Sequence, residues 1–132
     1  DCRKALEETD NNYEKAKEWL KKRGLEKAEK KGDREVSQGL VESYVHQTGR
    51  VAALVEILCE TDFVARTDDF KKLAKEVAMQ VASMNPKDVA TLLKQDYIRD
   101  NSVTIDQLIK ATIGKLGENI VVKKISRLAI GE

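Results

Sequence analysis

Apolar residues recur along this chain in two rhythms, helical at first and then mixed, and the change between them divides it. Over residues 1–24 the spacing is helical. Cys2, Ala5 and Leu6 fall on one stripe, Asp10-Asn11-Asn12 breaks it, and Tyr13, Ala16 and Leu20 form a second stripe with Trp19 alongside. Asn11 with Glu14 makes a capping-box pattern, and Gly24 is a natural terminator. Two short helices joined by three polar residues predict a small helical module, one that needs a third helix or another surface to bury enough. Residues 25–35 are densely charged around Lys31-Gly32-Asp33 and read as a linker.

From Val36 the rhythm changes. Leu40 to His46 and Val51 to Cys59 read as strands, joined by the turn Gln47-Thr48-Gly49-Arg50. After the polar break Glu60-Thr61-Asp62, the positions Phe70, Leu73, Ala74, Val77, Ala78 and Val81 mark the broad apolar face of a helix. Asn85 is expected to cap a short helix that opens on Pro86 and turns Val89, Leu92 and Leu93 inward. Thr104 and Gln107 form a capping box ahead of a helix running through Ile105, Leu108, Ile109, Ile113 and Leu116 to Gly117. Ile120 to Ile130 is β-branched and reads as a third strand. The expected fold is α+β: over residues 36–132, a three-stranded antiparallel sheet covered by helices, preceded by the helical module.

Composition narrows the functions on offer. Lys plus Arg (24) nearly balances Asp plus Glu (23), so no single-sign field covers the molecule. Only Lys21 to Lys31 approaches a basic stripe, and Glu26 and Glu29 interrupt it, so nucleic acid is not the expected partner. No apolar run reaches the roughly 20 residues that a membrane span needs. No signal-peptide pattern is present, and a sequence opening on Asp1 is expected to have lost at least its initiating Met. Cys2 and Cys59 fall in a helix and a strand, which fits two free thiols in a reducing compartment. The cytoplasm is the expected location, with an organellar matrix or stroma if a transit peptide has been removed.

Catalytic chemistry finds little footing. His46 has no second His or Cys at metal-ligand spacing, so no metal site is expected. A nucleophilic pair of Cys59 and His46 is conceivable on neighbouring strands, but Cys59 as a small core residue and His46 as a polar strand end is the stronger reading. Gly114 and Gly117 end a helix and do not open one, which is the wrong end for a phosphate loop. The carboxylates are scattered, with no candidate acid and base among them. The chain is expected to be a binding protein that remodels a partner, with no cofactor and no catalytic site.

One short segment stands out. Glu60-Thr61-Asp62-Phe63-Val64-Ala65-Arg66 puts an aromatic and a valine between a strand and a helix. On composition alone, Phe63 as an anchor of its loop into the core carries more weight. The functional reading is a protruding aromatic beside a carboxylate, the kind of group that dominates a protein interface.

At this segment the chain resembles the elongation factor Ts family of bacteria and organelles. The eleven residues Glu56-Ile57-Leu58-Cys59-Glu60-Thr61-Asp62-Phe63-Val64-Ala65-Arg66 look like that family's signature. Three other stretches match in order: Asp1-Cys2-Arg3-Lys4-Ala5-Leu6 with Glu18-Trp19-Leu20, Met84-Asn85-Pro86, and Gly114-Lys115-Leu116-Gly117-Glu118-Asn119-Ile120-Val121-Val122. The resemblance implies a guanine-nucleotide exchange factor in translation elongation, one that binds the GDP-loaded G domain of elongation factor Tu. It implies that Asp62 and Phe63 enter the partner near its magnesium site, the Phe as a wedge, with Thr61, Val64 and Arg66 around them. The amino-terminal module, through Cys2, Leu6 and Trp19, would grip the G domain nearby.

The sequence also departs from the family. The usual first helix and Gly-rich, Met-containing turn ahead of Asp1 have no counterpart, so the amino-terminal module is expected to be incomplete, by truncation or disorder rather than natural loss. Family members carry further helical sequence between the regions of Pro86 and Leu92, where this chain has only Lys87 to Thr91. In long members that segment adds a second subdomain that aids dimerisation, so a homodimer is an open expectation here. Two other readings remain. The helical module resembles the ubiquitin-associated fold, which would suit a helix-binding adaptor but leaves Thr61 to Arg66 without a role. Lys21, Lys22, Arg23, Lys27, Lys30 and Lys31 would suit a ribosome- or RNA-associated protein, against which stands a plain solvated linker.

Overall fold

The computed structural model describes residues 32, 34–46 and 48–131. The helical module expected over residues 1–24, and with it Cys2, Leu6 and Trp19, lies outside the described residues, as does most of the linker.

The hairpin forms as its alternation predicts. Strands β1 (Gln38–Val45) and β2 (Val51–Cys59) pair antiparallel, with Gln38 opposite Cys59 and Val45 opposite Ala52. His46 N–H donates to Val51 O at 2.9 Å and Gly49 N–H to His46 O at 2.7 Å. Gly49 takes φ 72°, a left-handed conformation in which a side chain would be strained. Along β2 the period of two is plain: Ala53, Val55, Ile57 and Cys59 are buried, while Leu54 between them is 49% exposed.

The polar break after β2 is itself structured. It holds a one-turn helix, α1 (Asp62–Ala65), which hydrophobic periodicity did not show because one turn has no period. Helix α2 (Asp68–Met84) follows, capped by Thr67 Oγ1, which accepts from Phe70 N–H at 3.2 Å. Its buried face carries all six expected residues, Phe70, Leu73, Ala74, Val77, Ala78 and Val81, together with Gln80 and Ala82.

Asn85 works at the opposite end from the one expected. It closes α2 in the left-handed conformation (φ 48°, ψ 56°), with its N–H donating to Val81 O at 3.1 Å. Asparagine is among the few non-glycine residues that tolerate this conformation, so it can end a helix as readily as start one. The short helix α3 (Val89–Lys94) is capped instead by Asp88, whose Oδ1 accepts from Thr91 N–H at 2.7 Å. That bond holds the Asp88 carboxyl below its ordinary pKa. Leu92 is buried, and Val89 and Leu93 are half-buried against the core.

Between α3 and the next helix lies a two-stranded ribbon that the sequence did not predict, β3 (Asp96–Tyr97) against β4 (Asp100–Thr104). Gln80, fully buried on α2, holds it. Its Nε2 donates to Asp96 O at 3.0 Å and to Gln95 Oε1 at 3.2 Å, and its Oε1 accepts from Ile98 N–H at 3.1 Å. A buried amide with both ends satisfied is specific about what it packs against. Helix α4 (Ile105–Leu116) opens on the predicted capping box. Gln107 N–H donates to Thr104 Oγ1 at 3.2 Å and Thr104 N–H to Gln107 Oε1 at 2.9 Å, and Gly117 closes the helix at φ 81°.

Strand β5 (Ile120–Ala129) then pairs antiparallel with the free side of β2, giving the sheet order β1-β2-β5. The register shifts between Glu56 and Ile57, where β5 spends an extra residue as a bulge. Arg127 Nε donates to Ala82 O at 3.0 Å, a cation at the carboxyl end of α2. The architecture is the expected α+β, with helices on one face of a three-stranded antiparallel sheet. The other face presents Val41, Val45, Leu54, Val121 and Leu128, all among the most exposed apolar side chains.

Candidate functional site

A single helical turn does not persist in water without help, so what holds α1 decides what it can do. Its inner side is packed, with Val64 and Ala65 both buried in the core. Its carboxyl end is tied by Thr67, whose hydroxyl donates to Val64 O at 2.7 Å. At its amino end Thr61 is the cap, in extended conformation (φ −128°, ψ 152°), with Oγ1 accepting from Val64 N–H at 3.3 Å. Arg66 Nε meets Asp62 Oδ2 at 2.8 Å across the turn. Both of those side chains are well exposed, so the pair contributes at most about 1 kcal/mol.

Packing Val64 and Ala65 inward turns Phe63 the other way, because successive helical residues are about 100° apart. Phe63 is 81% exposed and anchors nothing in the core. The core-anchor reading of this aromatic is therefore set aside. Thr61, Asp62, Phe63 and Arg66 are brought together on one turn. Val64, grouped with them on sequence, is 5% exposed and fills the core, so it is not an accessible contact residue.

Two residues that lie in the matched Gly114-to-Val122 stretch but had no role assigned from sequence, Glu118 and Asn119, hold this turn and the strand end beside it. Glu118 lies one residue past the Gly117 cap and clasps Thr61 with both carboxylate oxygens. Thr61 N–H donates to Oε1 at 2.9 Å and the hydroxyl to Oε2 at 2.7 Å. Asn119 is 4% exposed. Its N–H donates to Glu60 Oε2 at 2.6 Å, and its Nδ2 donates to Arg34 O at 2.9 Å and Gly32 O at 3.3 Å. Arg34 Nη1 in turn reaches Glu60 Oε1 at 3.5 Å. The available signal was positional: both follow a helix terminator directly and precede a strand.

The carboxylates of Glu60, Asp62 and Glu118 thus converge on the end of β2, around Cys59. Burial pushes the Cys59 thiol pKa up, and Glu118 and the other two acids add to it. The thiol is fully buried and donates to Thr61 O at 3.1 Å. It belongs to the core, as expected. The conceivable pairing with His46 fails on geometry, since His46 follows the far end of β1 while Cys59 stands opposite Gln38 at its start. Among the described residues, no group of three or more His, Cys, Asp or Glu is placed to hold a metal ion. No described helix is long and apolar enough to cross a membrane.

A family model described as "Elongation factor TS" matches residues 60–132, which contain both α1 and the Glu118–Asn119 pair. Curated relatives span the chain more fully. "Elongation factor Ts" of Coprothermobacter proteolyticus is 42% identical over all of this chain and 90% of its own length. The protein of that name from a Nostoc species is 47% identical over 98% of this chain and 41% of its own length. "Elongation factor Ts, chloroplastic" of Rhodomonas salina is 36% identical over all of this chain and 81% of its own length. The first alignment runs to 177 positions against 132 residues here, so that relative carries roughly 45 residues with no counterpart in this chain. The Nostoc match runs to 130 positions and has no such excess.

Proposed function

The chain belongs to the elongation factor Ts family, and we propose that it is a guanine-nucleotide exchange factor that binds elongation factor Tu and speeds its release of GDP. The observation that supports this most is Phe63, a large aromatic held out in solvent on a turn whose backbone is fixed on both sides. An exposed aromatic beside a carboxylate is an interface anchor waiting for a pocket, and burying one can supply about 2 kcal/mol or more.

The reading needs no acid, base or metal from this chain, and it makes the protein a binding partner and not an enzyme. It needs binding energy available only when the partner's nucleotide site is distorted. Phe63 supplies the apolar intrusion, and Asp62 brings a negative charge toward a site that holds a magnesium ion and phosphates. By linkage, whatever factor the protein takes from GDP affinity, GDP takes from the protein's affinity, typically about 1–3 kcal/mol. The location follows the partner, in the cytoplasm or in an organellar matrix or stroma.

Elongation factor Tu loaded with a fluorescent GDP analogue and chased with excess GDP tests the reading. The chain should accelerate release, and Phe63→Ala should suppress most of the acceleration. No acceleration at saturating concentration would refute the exchange function. Acceleration untouched by the substitution would keep the function and remove Phe63 from it.

The sheet face on which no other described element packs favours one addition, self-association into a homodimer. Val41, Val45, Leu54, Val121 and Leu128 stand on one side of three adjacent strands together with Ser43, Glu56, Lys124 and Ser126, a mixed surface whose apolar part sheet-on-sheet packing would bury.

A further inference from the structure

We propose that Glu118 is a positioning residue for Phe63, setting the aim of the aromatic by holding the first turn of α1 with both of its carboxylate oxygens. This rests on the exchange reading above and adds to it a residue outside the signature segment.

The argument starts from what Phe63 lacks. Its side chain is 81% exposed, so no packing holds it and its direction is inherited from its backbone. The carboxyl half of that backbone is secured by the buried Val64 and Ala65. The amino half has only Thr61 as its cap, and Thr61 is itself exposed and could swing. Glu118 removes that freedom. One oxygen takes the Thr61 N–H and the other takes the hydroxyl proton, at 2.9 and 2.7 Å. With the proton committed, the hydroxyl can only accept from Val64 N–H, which is the capping bond observed. A charged acceptor makes both bonds stronger than neutral ones.

Glu118 in turn stands on a fixed base. Gly117 closes α4 directly before it, and Asn119 directly after it is buried and tied to Glu60, Arg34 and Gly32. Glu60 and Asp62 each meet an arginine, Arg34 and Arg66, whereas both oxygens of Glu118 are given to Thr61. A side chain with no acceptor oxygen at 118 would leave Thr61 unclasped.

The test uses the full chain, with Glu118→Ala and Glu118→Gln each made alone and on the Phe63→Ala background. Glu118→Ala should lower the GDP-release rate at saturating factor about tenfold, which is about 1.4 kcal/mol. Glu118→Gln should recover part of that, because it keeps one acceptor oxygen while the NH2 in place of the other cannot accept from Thr61. On the Phe63→Ala background Glu118→Ala should cost nothing more, since both act through one side chain. A loss that simply adds to that of Phe63→Ala, with a fall in melting temperature to match, would make Glu118 a stability residue and overturn the proposal. Amide hydrogen exchange of the free protein reads the geometry directly. Thr61 and Val64 should exchange at least about tenfold faster in Glu118→Ala while α2 keeps its protection. Unchanged exchange at those two amides would overturn the proposal even if GDP release is accelerated. Faster amide exchange in a protein that never accelerates GDP release would instead refute the exchange reading and leave the clasp standing.

Discussion

Phe63 and Val64 are neighbours in sequence and opposites in exposure, 81% against 5%. The contrast separates function from stability at adjacent positions. Phe63→Ala should leave unfolding stability within about 0.5 kcal/mol of wild type, since it removes no buried contact. Val64→Ala should cost about 1–3 kcal/mol by emptying a core position. Urea unfolding of the two variants checks this, and a large loss in Phe63→Ala would show that the aromatic packs inward after all.

Gly39 stands on β1 opposite Leu58 of β2. A Cβ there would sit 2.1 Å from Ile57 O and 2.8 Å from Leu58 Cα, and the residue's φ of 153° already disfavours a side chain. Backbone cannot yield as a flexible side chain does. Gly39→Ala should therefore destabilise the protein by roughly 2–4 kcal/mol, read as a fall in denaturant midpoint. A variant as stable as wild type would mean that the start of β1 can detach without loss.

The Tyr97 phenol donates to Glu76 Oε2 at 2.7 Å, and Arg99 Nε meets the same oxygen at 2.8 Å. Burial, and then the Glu76 carboxylate, push the Tyr97 pKa up to about 12. An unfolded tyrosine ionises near pH 10, so the unfolded chain releases this proton first. The stabilisation is complete below pH 10 and is lost as pH rises from about 10 to about 12. Melting temperatures of wild type and Tyr97→Phe should differ at pH 8 and converge by pH 12. A gap that stays constant across that window would show that the proton on Tyr97 contributes nothing.

If the open sheet face joins two copies, a charge at its centre should part them. Leu54 on the central strand is 49% exposed and stands opposite Ser43 and Ser126, so lysine fits there without disturbing the core. Leu54→Lys should shift the protein to monomer in sedimentation equilibrium while its melting curve stays cooperative. A wild type that is monomeric at high micromolar concentration would refute the homodimer.

Much of this fold is written in periodicity. The hairpin, the stripe from Phe70 to Val81 and the capping box at Thr104 and Gln107 appear where the apolar spacing puts them. What escaped depends on partners distant in sequence. The β3–β4 ribbon is organised by Gln80, a polar residue among apolar ones whose bonds reach 15 to 18 residues ahead. Asn85 was assigned to the wrong helix because one residue type serves both helix ends. The outward aim of Phe63 depends on the phase of a single turn, and Glu118, 57 residues beyond Thr61, holds that phase. Local pattern could mark the segment as unusual; only the resemblance to a family gave it a direction.

The separation between Thr61 and Glu118 also bears on how the molecule is made. A ribosome delivers the turn carrying Phe63 well before it delivers the carboxylate that steadies it and the strand that completes the sheet. A nascent chain therefore carries the aromatic without the means to aim it. The turn can therefore reach its final geometry only once Glu118, 57 residues downstream of Thr61, has been made.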